Sequence, residues 1–213
     1  AVDKDVQRLL RNMAAHKPVT QLLNLLSEDA ENRMAIAKAG AVTRLVNQLR
    51  GAGDTSRKAR ELAASVLAHL SEASDENVEA IAASGGIKPL LGMIAGADAG
   101  RSSMAPAKAA AVLSDLARSS AKNRQSILNE GGIPPLIHLL GKDNPSTTRA
   151  EAAGALEALC DQQPETQRIV AEGGAIQKIV ALLNEKEELP LSRAACAICA
   201  LCHGSQDNQD TVE

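Results

Sequence analysis

The chain has 213 residues, of which 45% are hydrophobic, and its formal net charge is -3 at pH 7. This composition is typical of a folded protein, and the charge gives no reason to expect a nucleic acid or an anionic membrane as partner. The absence of Phe, Tyr and Trp excludes aromatic platforms for stacked bases and aromatic cages for methylated lysine. No apolar run approaches about 18 residues, so no membrane-spanning segment is predicted.

The same three segments recur around four glycines. A short helical segment precedes each glycine and an apolar helical segment follows it. A polar gap then leads to an alanine-rich helical segment. The four glycines are Gly40, Gly86, Gly132 and Gly174. Since glycine accepts the left-handed conformation that ends many helices, each is predicted to separate the first two helices of its unit. Such units bury their apolar faces by stacking, so the pattern predicts an all-α solenoid.

In chain order, the pattern predicts one continuous solenoid domain. It begins with a partial repeat at residues 1–28, continues with four complete repeats and ends at the start of a truncated one. The later units are residues 29–74, 75–120, 121–162, 163–204 and 205–213. The polar gaps at residues 51–57 and 96–103 are rich in Gly, Ser, Asp and Ala. They are predicted to be loops at one edge, with a regulatory or partner-contacting role as the alternative.

Residues 123–160 show the repeated unit most clearly. They read N-x-x-x-I-x-x-x-G-G-I-x-P-L-I-x-L-L and then A-A-x-x-L-x-x-L, which resembles the armadillo (ARM) repeat. Pro134 and Pro135 suit the first turn of the second helix. HEAT repeats are the main rival, but they lack the short first helix that ends in Gly-Gly. The resemblance implies a right-handed superhelix whose third helices line a concave groove for a segment of another protein.

The resemblance also suggests which groove positions to compare. Familiar armadillo grooves carry a Trp on each third helix and, four residues later, an Asn that grips the ligand backbone. The aligned Trp positions here are Thr20, Ser65, Ala111, Gly154 and Cys196. The aligned Asn positions are Asn24, His69, Asp115, Ala158 and Ala200. Only Asn24 keeps the family's residue, so the regular series of Trp and Asn side chains that binds basic nuclear-import signals is not expected.

Helical spacing adds the neighbouring positions that share this face. The predicted partner-binding groove comprises Asn24, Ser65, His69, Glu72, Lys108, Ala111, Asp115, Arg118, Glu151, Gly154, Ala158, Asp161, Arg193 and His203. Cations and anions are balanced along it, so a strongly charged ligand is not expected. The small residues Ala111, Gly154 and Ala158 predict an open, shallow centre, with Ala158 facing outward.

The four cysteines lie in the last quarter of the chain, as Cys160, Cys196, Cys199 and Cys202. This distribution is unlike a disulfide framework and favours a reducing compartment, so a cytoplasmic location is predicted. CxxCxxCH resembles a metal motif. Inside a continuous helix, however, thiols three residues apart lie on one side, whereas a zinc site usually wraps the ion. We therefore predict packing residues that replace alanine and no metal site, with metal or redox chemistry as the alternative.

No catalytic arrangement is apparent in the sequence. It lacks a nucleophile elbow and a phosphate-binding loop, and its histidines belong to different helices, so no enzyme and no cofactor are predicted. We expect a protein-interaction scaffold or adaptor that binds an extended or helical partner segment along the groove. The alternative is a structural subunit fixed within a larger multiprotein assembly, without free-peptide binding. Neither nucleic-acid binding nor direct membrane insertion is expected, whereas membership of a larger complex is possible.

Overall fold

The structure is a computed structural model that describes residues 36–37, 40–51, 57–72, 74–95 and 104–212. The predicted partial repeat at residues 1–28, Asn24, and most of the predicted loops at residues 51–57 and 96–103 lie outside these ranges. Inside them, all regular secondary structure is helical, which confirms the predicted all-α class.

The helices follow one another in a recurring order of short, apolar and alanine-rich segments. In chain order they are α1 (Ala41–Leu49), α2 (Arg57–Ser71), α3 (Asp75–Ala83), α4 (Ile87–Ala95), α5 (Ala105–Ser119), α6 (Ala121–Asn129), α7 (Ile133–Leu139), α8 (Ser146–Cys160), α9 (Pro164–Glu172), α10 (Ala175–Val180), α11 (Glu188–Cys202) and α12 (Gln206–Val212). A 3-10 turn, Ala181–Asn184, extends α10. Within the described ranges, the first helices of the units are α3, α6, α9 and α12, and the third helices are α2, α5, α8 and α11. The exact repeat boundaries stay a prediction.

The turn between first and second helices depends on glycine, but the aligned glycines are not equivalent. Gly40 and Gly174 have positive φ angles of 78° and 73°. In the pairs that end at Gly86 and Gly132, the preceding glycine is the left-handed one. A Cβ added to Gly86 would lie 2.7 Å from Ile81 Cγ2, and Gly132 is equally crowded. In these two pairs, the first glycine therefore makes the turn and the second allows close packing.

The core runs without interruption from unit to unit. The third helices form its centre, because α5 packs against both α2 and α8, and α8 packs against α11. Leu67, Leu113 and Leu156 are at most 1% exposed. Burial of each such leucine side chain contributes about 1.5–3 kcal/mol to the free energy of unfolding. Alanines such as Ala110 and Ala153 are also fully buried. These small side chains let the third helices approach closely, so a core without aromatic residues is well packed.

In α3 and α12, a buried amide side chain joins the first helix to the third helix before it. Asn77 Nδ2 donates a hydrogen bond to the Leu70 carbonyl at 2.9 Å, and Asn208 Nδ2 donates to the Leu201 carbonyl at 2.7 Å. Leu70 and Leu201 lie in the last turns of α2 and α11, where carbonyl groups lack partners within the helix. The amides satisfy these carbonyls and fix the angle at which the next unit begins.

Of the described helices, none is by itself long and apolar enough to span a membrane. The α3 and α4 helices meet the length and composition requirement only together, across a bend of 83°.

Candidate partner-binding face

The third helices lie side by side, and the predicted groove positions on them define what we call the third-helix face. Its members are the described residues of the predicted groove: Ser65, His69, Glu72, Lys108, Ala111, Asp115, Arg118, Glu151, Gly154, Ala158, Asp161, Arg193 and His203. The structure brings these positions to neighbouring helices in register, although their exposure differs. Their role in binding is a proposal.

Polar contacts cross this face from each third helix to the next. Ser71 Oγ of α2 donates a hydrogen bond to Asp115 Oδ2 of α5 at 2.7 Å. Arg118 of α5 forms an ion pair with Glu157 of α8. These contacts make the face a continuous surface across the units that it joins.

A third contact of this kind joins α8 to α11. Arg193 Nη2 of α11 lies 3.4 Å from Glu151 Oε2 of α8. The Ser114 hydroxyl of α5 also donates a hydrogen bond to the Gly154 carbonyl at 3.0 Å, below the surface. Every neighbouring pair of third helices, from α2 to α11, is therefore tied by at least one polar contact.

The two carboxyl groups at the centre of the face are partly buried. Burial raises the pKa of the Asp115 carboxyl, and the hydrogen bond from Ser71 opposes that rise. Burial likewise raises the pKa of the Glu151 carboxyl, and the positive charge of Arg193 opposes it. In both cases desolvation disfavours the charged form more than the neighbouring groups restore it. The centre of the face therefore holds acids that are easier to protonate than surface carboxylates.

The predicted open, shallow centre is wrong at two of its three positions. Ala158 is only 2% exposed and belongs to the core, so it does not face outward. Gly154 is buried because the side chain of Arg193 lies over it: a Cβ there would be 3.0 Å from Arg193 Cδ. Ala111 alone is half-buried at the surface. Ala158 is thus enclosed by the core, and Gly154 is covered by a side chain from the next unit.

The remaining members of the face are more exposed towards its ends. His69 Nδ1 lies 3.8 Å from Glu72 Oε2 at the end of α2. Asp161 and His203 are exposed. They line a pocket of about 400 Å³ together with Glu157, Gln162, Cys196, Cys199 and Ala200. Partly exposed polar groups at these ends are available to a ligand.

The helical-spacing pattern did not predict Glu157, although it forms the ion pair with Arg118 and lines the pocket beside Asp161. A signal was present in the sequence. Glu157 follows Gly154 by three residues, which places both on one side of α8.

The cysteines do not all behave as alanine substitutes. Cys160 is fully buried, and burial raises the pKa of its thiol to about 12. Cys196 and Cys199 are exposed on α11, so the prediction that they pack in the core is wrong. Cys202 is half-buried, with its Sγ 3.6 Å from the Asn208 carbonyl. Within the described ranges, no three His, Cys, Asp or Glu side chains are placed to hold a metal ion together.

The raised pKa values make stability depend on pH in a defined direction. A carboxyl group whose pKa is higher in the native state adds stability below its ordinary pKa, and this contribution is lost as the pH rises through the native pKa. The free energy of unfolding of the Asp115→Asn, Glu151→Gln double variant should therefore fall less than that of the wild type between about pH 4 and pH 7. Urea unfolding at a series of pH values measures this difference.

The control for this measurement is Asp161→Asn, since Asp161 is exposed. This variant should follow the wild-type profile, whereas parallel profiles for the double variant and the wild type would contradict the expected coupling.

The thiols should differ in reactivity according to their burial. In a brief pulse of iodoacetamide on the native protein, we expect Cys196 and Cys199 to be modified first. Cys202 should follow, because partial burial raises its pKa, and the buried Cys160 should react only after unfolding, since the thiolate is the nucleophile. Peptide mass spectrometry measures the modified fraction at each site. Modification of Cys160 at the rate of Cys199 in native protein would show that α8 is not packed as described.

Comparison with known proteins agrees with this geometry. The family model described as Armadillo/beta-catenin-like repeat matches residues 120–161. A designed armadillo repeat protein superposes with a TM-score of 0.80 at 20% identity, over 97% of this chain and 86% of that chain. A second designed armadillo repeat protein, solved in complex with the peptide (KR)4, gives a TM-score of 0.74 at 21% identity, over 92% of this chain and 81% of that chain.

A natural protein shares the fold as well. ARO, an armadillo repeats only protein from Plasmodium falciparum, matches with a TM-score of 0.74 at 20% identity, over 93% of this chain and 92% of that chain. No curated protein matches the sequence significantly. The resemblance is therefore confirmed: residues 120–161 match the armadillo repeat, and the chain shares the all-α solenoid fold of armadillo repeat proteins.

Proposed function

We propose that this chain is a protein-interaction scaffold or adaptor that binds an extended or helical segment of a partner along the third-helix face. The observation that carries the proposal is the continuity of that face. Its polar groups lie on consecutive third helices and are joined by the Asp115, Arg118 and Arg193 contacts. Designed armadillo proteins support it by analogy: one is in complex with the peptide (KR)4, and another was designed for modular peptide recognition.

The charges of the face define the kind of segment it accepts. Arg118 and Arg193 already have acidic partners in Glu157 and Glu151. A ligand group that approaches either arginine would therefore exchange with an existing ion pair, which limits the gain in affinity there. Main-chain groups and neutral polar side chains are better suited, because they form hydrogen bonds without displacing these pairs. The expected ligand is a segment without strong net charge.

Location and assembly belong to the same proposal. Exposed thiols such as Cys196 and Cys199 remain reduced in the cytoplasm, which is where we place the protein. We expect a protein partner, with no direct binding of nucleic acid or insertion into a membrane, and no catalytic activity. Membership of a larger complex is compatible with groove binding, because the solenoid has other surfaces.

Chemical cross-linking tests this function directly, because lysines mark different surfaces. Lys108 lies on the third-helix face, whereas Lys122, Lys142 and Lys186 are exposed elsewhere. After affinity purification, an amine-reactive cross-linker should connect the partner to Lys108 more often than to the other three. Cross-links confined to Lys122, Lys142 or Lys186 would reject groove binding and support a structural subunit held through its other surfaces.

A further inference from the structure

A second candidate site lies near the beginning of the described solenoid. A pocket of about 420 Å³ is formed where α1 ends, α2 begins and α4 starts. Its basic lining residues are Arg50, Arg60 and Lys88, and its apolar lining includes Leu49, Pro89 and Met93. Among the lining residues that the structure describes, none is acidic. Arg60 is near the N-terminal end of α2, whereas the face residues His69 and Glu72 are at the opposite end of that helix.

The sequence around this pocket has the opposite charge to the rest of the chain. Residues 44–60 contain five basic residues and one acidic residue, a net charge of +4. The whole chain carries -3, so the remaining residues together carry -7. This stretch is therefore more basic than the rest of the sequence, although Lys58 forms an ion pair with Glu61 directly after it. An excess of cations favours anionic groups even when the overall charge is negative.

Arg50 and Lys88 are well placed to bind an anionic group of a ligand. Arg50 Nη1 donates to Asn47 Oδ1 at 2.7 Å, and Arg50 Nη2 donates to the Ser84 carbonyl at 2.7 Å. These neutral oxygens fix the guanidinium without cancelling its charge. The side chain of Lys88 is 82% exposed, and its Nζ lies 3.9 Å from Glu130 Oε2, which is a weak surface ion pair.

Apolar surface next to these cations narrows the choice of ligand. Leu49 and Met93 are each 4% exposed and form the floor of the pocket, with Pro89 half-buried beside them. A ligand that fits must combine negative charge with an apolar group. A recessed floor suits a side chain better than a flat membrane, and the chain has no aromatic residues on which nucleic-acid bases would stack.

We propose that this pocket binds an acidic segment of a partner protein. Glu or Asp side chains of the segment pair with Arg50 and Lys88, and an apolar side chain between them packs on Leu49 and Met93. The pocket is separate from the third-helix face, so binding at the pocket and binding along the face can be tested independently of each other.

Fluorescence anisotropy with a labelled short peptide of alternating Glu and Leu tests the proposal, with the corresponding Gln-Leu peptide for comparison. Lys88→Glu should weaken binding of the Glu-Leu peptide about fivefold, because it reverses one contacting charge. The matched control, Lys122→Glu, makes the same charge change at an exposed position of α6 and should bind as the wild type does. Binding should also weaken as salt is added. Circular dichroism melting checks that both variants are folded.

Several outcomes would overturn this assignment. Equal binding of the Gln-Leu and Glu-Leu peptides would show that charge has no role, and an equal loss in both lysine variants would show a general charge effect. No measurable binding by the wild type would reject the site. Tighter binding of a single-stranded oligonucleotide or of phosphatidylserine vesicles, lost in Lys88→Glu, would replace the acidic segment with that ligand. Ala111→Arg, on the third-helix face, should leave Glu-Leu binding unchanged.

Discussion

Replacing Ala158 by arginine should lower the free energy of unfolding by at least about 3 kcal/mol, or prevent folding altogether. Ala158 is 2% exposed and packs in the continuous core. The longer side chain has no room there without moving α8 from its neighbours, and its guanidinium would be buried without an acidic partner. Urea unfolding followed by circular dichroism measures the loss.

The neighbouring helix offers a matched control for this prediction. Ala111→Arg introduces the same side chain at a half-buried position of α5 that reaches the surface. Its free energy of unfolding should change by less than about 1 kcal/mol. Equal unfolding curves for Ala158→Arg and the wild type would show that Ala158 faces outward after all.

The same Ala111→Arg variant should weaken binding of the partner segment at least about tenfold, equivalent to about 1.4 kcal/mol. Ala111 lies one helical turn before Asp115 on α5, so the new side chain covers the centre of the third-helix face and competes for that carboxylate. A ligand backbone that approaches closely at Ala111 would be excluded sterically. Isothermal titration with a peptide from the cross-linked partner region measures the affinity.

Gln177→Arg provides the control for binding, because Gln177 is exposed on α10, a second helix. It adds the same charge away from the third-helix face and should leave the affinity within about twofold of the wild type. If Gln177→Arg abolishes binding and Ala111→Arg does not, the partner uses another surface and groove binding is wrong.

Much of the fold was predictable because local signals agree with one another. Proline occurs in the first turn of α5, α7 and α9, and glycine ends the first helices. Leucine and isoleucine recur at helical spacing, so the same residues that define each helix also define its buried side. A repeat fold can be predicted from its sequence when the residues at helix ends and the apolar pattern within helices agree in this way.

The details of the candidate site were less predictable, because they depend on contacts between units. Alanine is compatible with either side of a helix, so nothing local shows that Ala158 is buried. The cover over Gly154 comes from Arg193, which is 39 positions later in the chain. The exposure of Cys196 and Cys199 depends likewise on what packs against α11. Helical periodicity predicts on which face of a helix a residue lies, but it does not predict whether a side chain from a neighbouring unit covers that residue.

The position of Arg193 over Gly154 has a mechanical consequence. No side chain at Gly154 interlocks with Arg193, whose ion pair with Glu151 of α8 spans 3.4 Å. Close packing between α8 and α11 therefore depends on buried residues such as Ala194, Ala197 and Leu201, while Arg193 covers a flat part of α8. Because units of a solenoid contact only their neighbours, compliance at one junction adds directly to the bending of the whole. A change at the junction between α8 and α11 would therefore alter the curvature of the face on both sides of it.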